Sequence, residues 1–213
     1  MNKVKYIIFM LLLTVVLTSQ AQAKAKGKKY SGLHTGGGGG YSYIMGNDFT
    51  QSDSKLGALA YDDQNLVMGG AEFGYMFNIN KFIIDFYGFA YFDLSKSSLW
   101  IEGKGGSYVV DSYGEYGLNL RLGRSFGGFL PYGLVGVTFD ALEVSGSSHF
   151  SESGLSIAIN YGLGGMYSFQ NGVYMFLELA MHSDMYTDLV GYDSDLTGFP
   201  FYLDVKMGGG IIF

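Results

Sequence analysis

From residue 30 onward the chain alternates between apolar and polar positions. Side chains in a strand flip face at every residue, so this period of two is the signature of half-lipophilic β-strands. The clearest run is 108–122. Its even positions carry Tyr108, Val110, Tyr116, Leu118, Leu120 and Leu122, and its odd positions carry Asp111, Glu115, Asn119 and Arg121. The run 155–169 behaves alike, setting Ile157, Ile159, Tyr161 and Leu163 against Ser156, Asn160, Gly162 and Gly164. The same reading places further strands at 34–45, 66–77, 82–93, 130–141, 173–183 and 199–213. In 130–141 both faces are mostly apolar. Thr138 and Asp140 turn inward there, which puts Val135, Val137 and Phe139 outside.

The gaps between strands alternate in length. Segments 77–81, 123–129 and 170–172 are short turns, and Asn171-Gly172 is a strong two-residue hairpin signal because both positions tolerate positive φ. Segments 46–65, 94–107, 142–154 and 184–198 are longer and rich in Asp, Ser and Gly. Eight strands joined in this way make an all-β fold: an eight-stranded antiparallel up-and-down transmembrane β-barrel over 30–213. Short turns then face the periplasm and long loops the exterior.

A soluble barrel would carry the same alternation with its faces reversed. Three features favour lipid on the apolar side. The polar faces hold too few charges to solvate an exterior, since charged residues are only 15% of the chain. Aromatics cluster beside the short turns, with Phe77, Phe82, Phe126, Phe129, Phe169 and Phe213 forming the girdle expected at a membrane–water interface. The third feature is an export signal at the N-terminus. Lys3 and Lys5 precede an apolar run over 6–17, and Ala21-Gln22-Ala23 supplies an A-x-A cleavage site, so 1–23 reads as a signal peptide cleaved after Ala23. The apolar run is too short to span a bilayer as a helix. Residues 24–29 form a basic lead-in.

Composition narrows the functions. There is no cysteine, which removes disulfides, thiol catalysis and a lipidated N-terminal cysteine. A net charge of −6 argues against a nucleic-acid partner. No cofactor and no metal site is read from the sequence. Gly36 to Gly40 lacks the Lys-Ser/Thr of a phosphate loop and reads as a close-packed strand with tyrosines over bare backbone. The spacing of Asp193-Ser194-Asp195 does not continue into a calcium loop.

The inward faces gather a polar set: Glu72, Asp85, Asp111, Glu115, Asn119, Arg121, Asn160, Glu178, His182, Asp204 and Lys206. An eight-stranded lumen is just wide enough to be filled by side chains, so this set reads as an ion-pair and hydrogen-bond plug rather than the lining of a pore. Its acids outnumber its permanent cations. Some carboxylates must therefore sit near the wet ends or stay protonated.

The segment 156–167, SIAINYGLGGMY, with the turn Gln170-Asn171-Gly172 and the strand through Glu178, resembles the glycine-aromatic hairpin of small outer-membrane β-barrel domains. That family includes the OmpA transmembrane domain, OmpX, Ail and the opacity proteins. The ending 205–213, with Val205, Met207, Ile211 and the terminal Phe213, is similar to the family's assembly signal. The resemblance implies the bacterial outer membrane as location. It implies outer-membrane lipid, lipopolysaccharide and the barrel-assembly machinery as partners of a monomeric barrel, with one expected departure: the chain stops at the barrel, without the periplasmic peptidoglycan-binding domain of full-length OmpA. It carries fold and location further than function.

The expected role is non-enzymatic, structural or adhesin-like, with a host or cell-surface ligand held by the four loops through residues such as Phe49, Leu56, Tyr61, Trp100, Phe150, Tyr186 and Tyr192. Two rival readings remain. One is a narrow solute or ion channel. The other is a lipid A hydrolase of the small-barrel type. His182 and Glu178 share a strand face, but the deacylase PagL, which this strand resembles, places a serine two residues after its histidine. Here that position is Asp184, and Ser183 belongs to the opposite face.

Overall fold

The computed structural model describes residues 30–45, 64–95, 98–103, 106–146, 150–169, 171–189 and 201–213. The expected signal peptide over 1–23 and the lead-in over 24–29 lie outside the described residues. Among the described residues nine strands follow in chain order: β1 Gly32–Met45, β2 Gln64–Ile79, β3 Phe82–Asp93, β4 Ser98–Gly103, β5 Gly106–Arg124, β6 Phe129–Gly146, β7 Phe150–Ser168, β8 Val173–Leu189 and β9 Phe201–Ile212. Every pairing is antiparallel, and each strand meets its sequence neighbour except where β3 and β4 divide one place. β5 pairs with β3 from Phe82↔Arg124 to Phe92↔Gly114, and then with β4 from Ser98↔Asp111 to Gly103↔Gly106. β1 pairs with β9, so the sheet closes on itself as an eight-stranded barrel. Closure removes the free edges that an open sheet would present.

The faces follow from the alternation. Along β3 the burial switches at nearly every residue, with Ile83, Asp85, Tyr87, Phe89 and Tyr91 inside. Outside stand bare apolar side chains such as Leu163, 71% exposed, and Leu118, 69% exposed. An exterior of this kind is stable only in hydrocarbon, where every backbone polar group must be paired, and a closed barrel pairs them all. Val135 and Val137 are exposed on β6, while Thr138 and Asp140 are buried.

Three turns close the barrel at one end, each by a different device. Between β2 and β3, Asn80 and Lys81 both take positive φ, 53° and 72°, as the type I′ hairpin turn requires. Between β5 and β6, Phe126 bridges to Phe129 around Gly127, whose φ is 67°. The 170–172 turn is not the two-residue turn expected from Asn171-Gly172. Phe169 N–H donates to the Val173 carbonyl at 2.8 Å, which leaves three loop residues, and only Gly172 takes positive φ, 83°, among the described ones. This is a three-residue hairpin, in which a single left-handed residue suffices.

At the other end, the expected loops over 94–107 and 142–154 are largely strand. β4 and β5 form a hairpin up to Gly103↔Gly106, and β6 and β7 stay paired up to Gly146↔Phe150. β8 likewise continues to Leu189, into the segment expected as the loop 184–198. Asp, Ser and Gly give these stretches a loop-like composition, but their alternation persists, and neighbouring strands supply the backbone partners. Gly114, at φ 147°, sits at the register shift where β5 passes from β3 to β4.

The closing seam is nearly bare. Gly36↔Gly210, Gly37↔Gly209 and Gly38↔Gly208 are successive pairs of β1 and β9. On the inner side, a Cβ on Gly210 would stand 2.6 Å from the Tyr174 hydroxyl, and one on Gly208 would stand 2.8 Å from the Phe176 ring. The glycines are thus the floor on which two aromatic side chains lie.

Candidate functional site: the two-storey polar lumen

Ten of the eleven inward polar residues read from the sequence are buried: Glu72, Asp85, Glu115, Asn119, Arg121, Asn160, Glu178, His182, Asp204 and Lys206. The side chain of Asp111 lies outside the described residues. His34, Ser42, Thr138, Asp140 and Ser156 join them. The set divides into two storeys.

The storey nearer the short turns is built on Arg121, whose side chain is 1% exposed. Its Nη2 donates to Glu72 at 2.7 Å, Nη1 to Asp85 at 3.1 Å and Nε to Glu178 at 2.7 Å. The guanidinium lies 3.7 Å from the centre of the Tyr87 ring, with Tyr132 and Phe176 at 5.3 Å. Tyr174 donates its hydroxyl hydrogen to Glu72 at 2.7 Å, and Tyr132 donates to Glu178 at 2.9 Å. His34 Nε2 stands 2.8 Å from Asp85. Asn119 Nδ2 donates to the Tyr87 hydroxyl at 2.8 Å, and Asn160 Nδ2 donates to Asn119 Oδ1 at 2.6 Å. A planar cation with five donors suits three convergent carboxylates as lysine could not.

The storey nearer the long loops is built on Lys206, which pairs with Glu115 and lies 3.5 Å from Asp204. Asp204 also accepts from the Ser42 hydroxyl at 2.5 Å and stands 3.0 Å from His182 Nδ1. The His182 ring stacks on Tyr202 at 4.1 Å. Glu115, Asp140 and His182 converge, each bringing one ligand-type atom to within 4.8 Å of the others.

Below the lower storey the turn end is stoppered. Tyr30 is fully buried; its hydroxyl donates to the Gly128 carbonyl at 2.5 Å and accepts from Ser168 N–H at 3.0 Å. Burial pushes this phenol up to about 12, so it stays a neutral donor at physiological pH. Met76, Ile83, Leu130, Met166 and Ile212 pack around it as an apolar floor.

Outside, Phe77, Phe82, Phe126, Phe129 and Phe169 are exposed at the short-turn end, and Phe213 is half-buried. A second band, not anticipated from the sequence, lies nearer the long loops. Tyr41, Phe92 and Tyr116 are exposed there, and Tyr116 stacks on Phe139 at 5.5 Å. In β9, Val205 and Met207 point outward while Ile212 points in, and Ile211 pairs with Thr35 and Val173.

Sequence reasoning misses His34 and Tyr30. His34 stands beside a glycine run that shows no face, and Tyr30 precedes the first alternating residue. The inward tyrosines escape it too, because tyrosine counts as apolar in a period-two pattern.

An apolar exterior edged by two aromatic bands, closed around a packed polar lumen, is the construction of a β-barrel that spans an outer membrane. The chain belongs to the outer membrane protein beta-barrel domain family, whose model matches residues 9–208. A comparison with curated proteins finds no match. Two solved structures show the same fold. Ail, the attachment invasion locus protein of Yersinia pestis, is 13% identical, with 87% of this chain and 100% of that one covered and a TM-score of 0.50. Neisserial surface protein A is 12% identical, with 87% and 100% covered and a TM-score of 0.52. The location that follows is the bacterial outer membrane.

Proposed function

We propose that this chain is a non-enzymatic surface protein whose barrel is an anchor and whose long-loop end makes contacts with a host or cell-surface ligand. The observation behind this reading is the height of β5 to β8. These strands have 19, 18, 19 and 17 residues, against 12 in β3 and β9. At about 3.3 Å per residue and a tilt of about 40°, a strand of β7's length rises about 48 Å, while the apolar band of such barrels is about 25 Å tall. The outward row of β6 fits this estimate. It runs Val135, Val137, Phe139, Ala141 and then Glu143, so the row turns charged where it leaves hydrocarbon. About half the length of these strands is therefore available as a rigid display surface in water.

A contact made by paired strands costs less ordering entropy than one made by free loops. Ail, which has this fold, is an attachment invasion locus protein. The outer leaflet's lipid and lipopolysaccharide surround the band in this reading, and the assembly machinery inserts a barrel that remains a monomer. The side chains of Ser183 and Asp184, on which the hydrolase reading turns, lie outside the described residues.

Replacing residues 143–153 by Asn-Gly shortens the β6–β7 hairpin without removing a residue of either polar storey. Cells expressing this variant should bind immobilised host matrix or host cells at least ~10-fold less, the loss expected when a rigid contact surface is removed. The shortened barrel should still shift on gels between heated and unheated samples. Undiminished attachment by a barrel that retains this shift would overturn the reading.

A further inference from the structure

We propose that the upper storey of the lumen is a binding site for one divalent transition-metal ion of the zinc class, with Glu115, Asp140 and His182 as its protein ligands. The three come from β5, β6 and β8, are buried, and already bring their ligand-type atoms within 4.8 Å of one another. Around a tetrahedral zinc ion with metal–ligand lengths of about 2.0–2.2 Å the ligand atoms stand about 3.3–3.6 Å apart, so side-chain rotation has about an ångström to close. Two carboxylates and one imidazole are a donor set for zinc or its first-row neighbours, whereas calcium and magnesium favour oxygen alone.

Three further features point to a cation here. The first is the arrangement around His182. Its Nδ1 is 3.0 Å from Asp204 Oδ2, and Asp204 is itself held by the Ser42 hydroxyl at 2.5 Å. A carboxylate that takes one ring N–H fixes the tautomer and leaves the lone pair of Nε2 for a metal, the standard outer support of a histidine ligand. The stack on Tyr202 fixes the ring plane.

The second feature is charge. Among the described residues, each storey contains three carboxylates, one permanent cation and one histidine: Glu72, Asp85 and Glu178 with Arg121 and His34 below, and Glu115, Asp140 and Asp204 with Lys206 and His182 above. In the lower storey Arg121 donates to all three acids. Lys206 forms its ion pairs with Glu115 and Asp204. With His182 as a neutral ligand, one divalent ion brings the upper storey to zero.

The third feature lies beside the site. Asn160, paired with His182 across β7 and β8, is buried, and its Oδ1 accepts no hydrogen bond. That oxygen is a buried acceptor between the two storeys, since Asn160 Nδ2 donates to Asn119 of the lower one.

The test uses the full mature barrel, folded in detergent micelles and freed of metal by chelation, with zinc and cobalt(II) chlorides as probes. Titration calorimetry should give one zinc per chain. The same concentrations of calcium or magnesium should give no heat. Asp140→Asn and His182→Ala should each weaken zinc binding at least ~100-fold. Asp204→Asn, which weakens the support of His182 without removing a ligand, should weaken it about 10–100-fold. His149→Ala, at a histidine outside the described residues, should bind like the parent.

Should the lumen variants fail to fold, the parent barrel still decides. Bound cobalt should show the visible absorption of a four-coordinate site and the paramagnetically shifted NMR signals of one imidazole. Zinc binding below one per chain, binding unchanged in a folded Asp140→Asn or His182→Ala barrel, or a six-coordinate cobalt spectrum without imidazole signals would each overturn the proposal.

Discussion

Arg121 donates hydrogen bonds to carboxylates from three different strands and lies among three aromatic rings, so its removal exposes the arithmetic of the lower storey. Arg121→Met keeps much of the volume and leaves Glu72, Asp85 and Glu178 facing one another beside His34. The expected loss is about 3–5 kcal/mol, the usual cost of orphaning a buried ion pair. It is read as a fall in the urea midpoint of the barrel in lipid vesicles. A loss under about 1 kcal/mol would show that the acids simply take up protons and that the guanidinium contributes little. At this scale the sequence is informative about which residues turn inward, because Arg121 and Glu115 sit on the sparse face of an unambiguous alternation. It is silent on who meets whom. Glu72 and Glu178 reach the same guanidinium because strand stagger brings distant sequence positions to one height, and no spacing along the chain records that stagger. The same reason hides the convergence of Glu115, Asp140 and His182, which come from three strands.

Strands and turns have their own energetics. The Asn80-Lys81 turn places a lysine at φ 72°, a conformation that costs a residue with a Cβ roughly 1 kcal/mol. Lys81→Gly should therefore stabilise the barrel by about 1 kcal/mol, seen as a higher urea midpoint with an unchanged slope. A neutral or destabilising result would mean that Lys81 contributes more through its side chain than it loses in its backbone. Strand cores can be read from periodicity almost to the residue at 82–93, where the expected and observed bounds coincide. Strand ends at the long-loop side cannot. Polar, glycine-rich stretches such as 142–146 and 150–154 are paired because the neighbouring strand is paired, and composition carries no information about a partner's length.

For the molecule as a whole, the two storeys and the apolar floor under them obstruct the lumen at successive heights. Arg121 and its acids fill the lower level, and Tyr30 stoppers the turn end. Planar bilayers containing the purified barrel should therefore show no sustained conductance of porin size. Regular, long-lived steps of that size would refute the plugged lumen. The long-loop end should also be the side cut by protease on intact cells, with the turn at 77–81 protected inside.

The glycine-on-glycine seam between β1 and β9 has a consequence for how the circle is completed. Side chains usually tell two strands which residues belong opposite each other, and a one-residue slip would turn a whole face inside out. Three successive pairs here have no side chains to object to such a slip. The choice of alignment falls instead to the residues on either side of them. At the upper end Ser42 meets Asp204, and at the lower end His34 reaches across to Asp85 and Tyr174. Both clasps fail together if β1 arrives one position early or late. The first and last strands can thus approach smoothly, like an unnotched zip, while two polar catches at its ends accept one alignment and reject its neighbours.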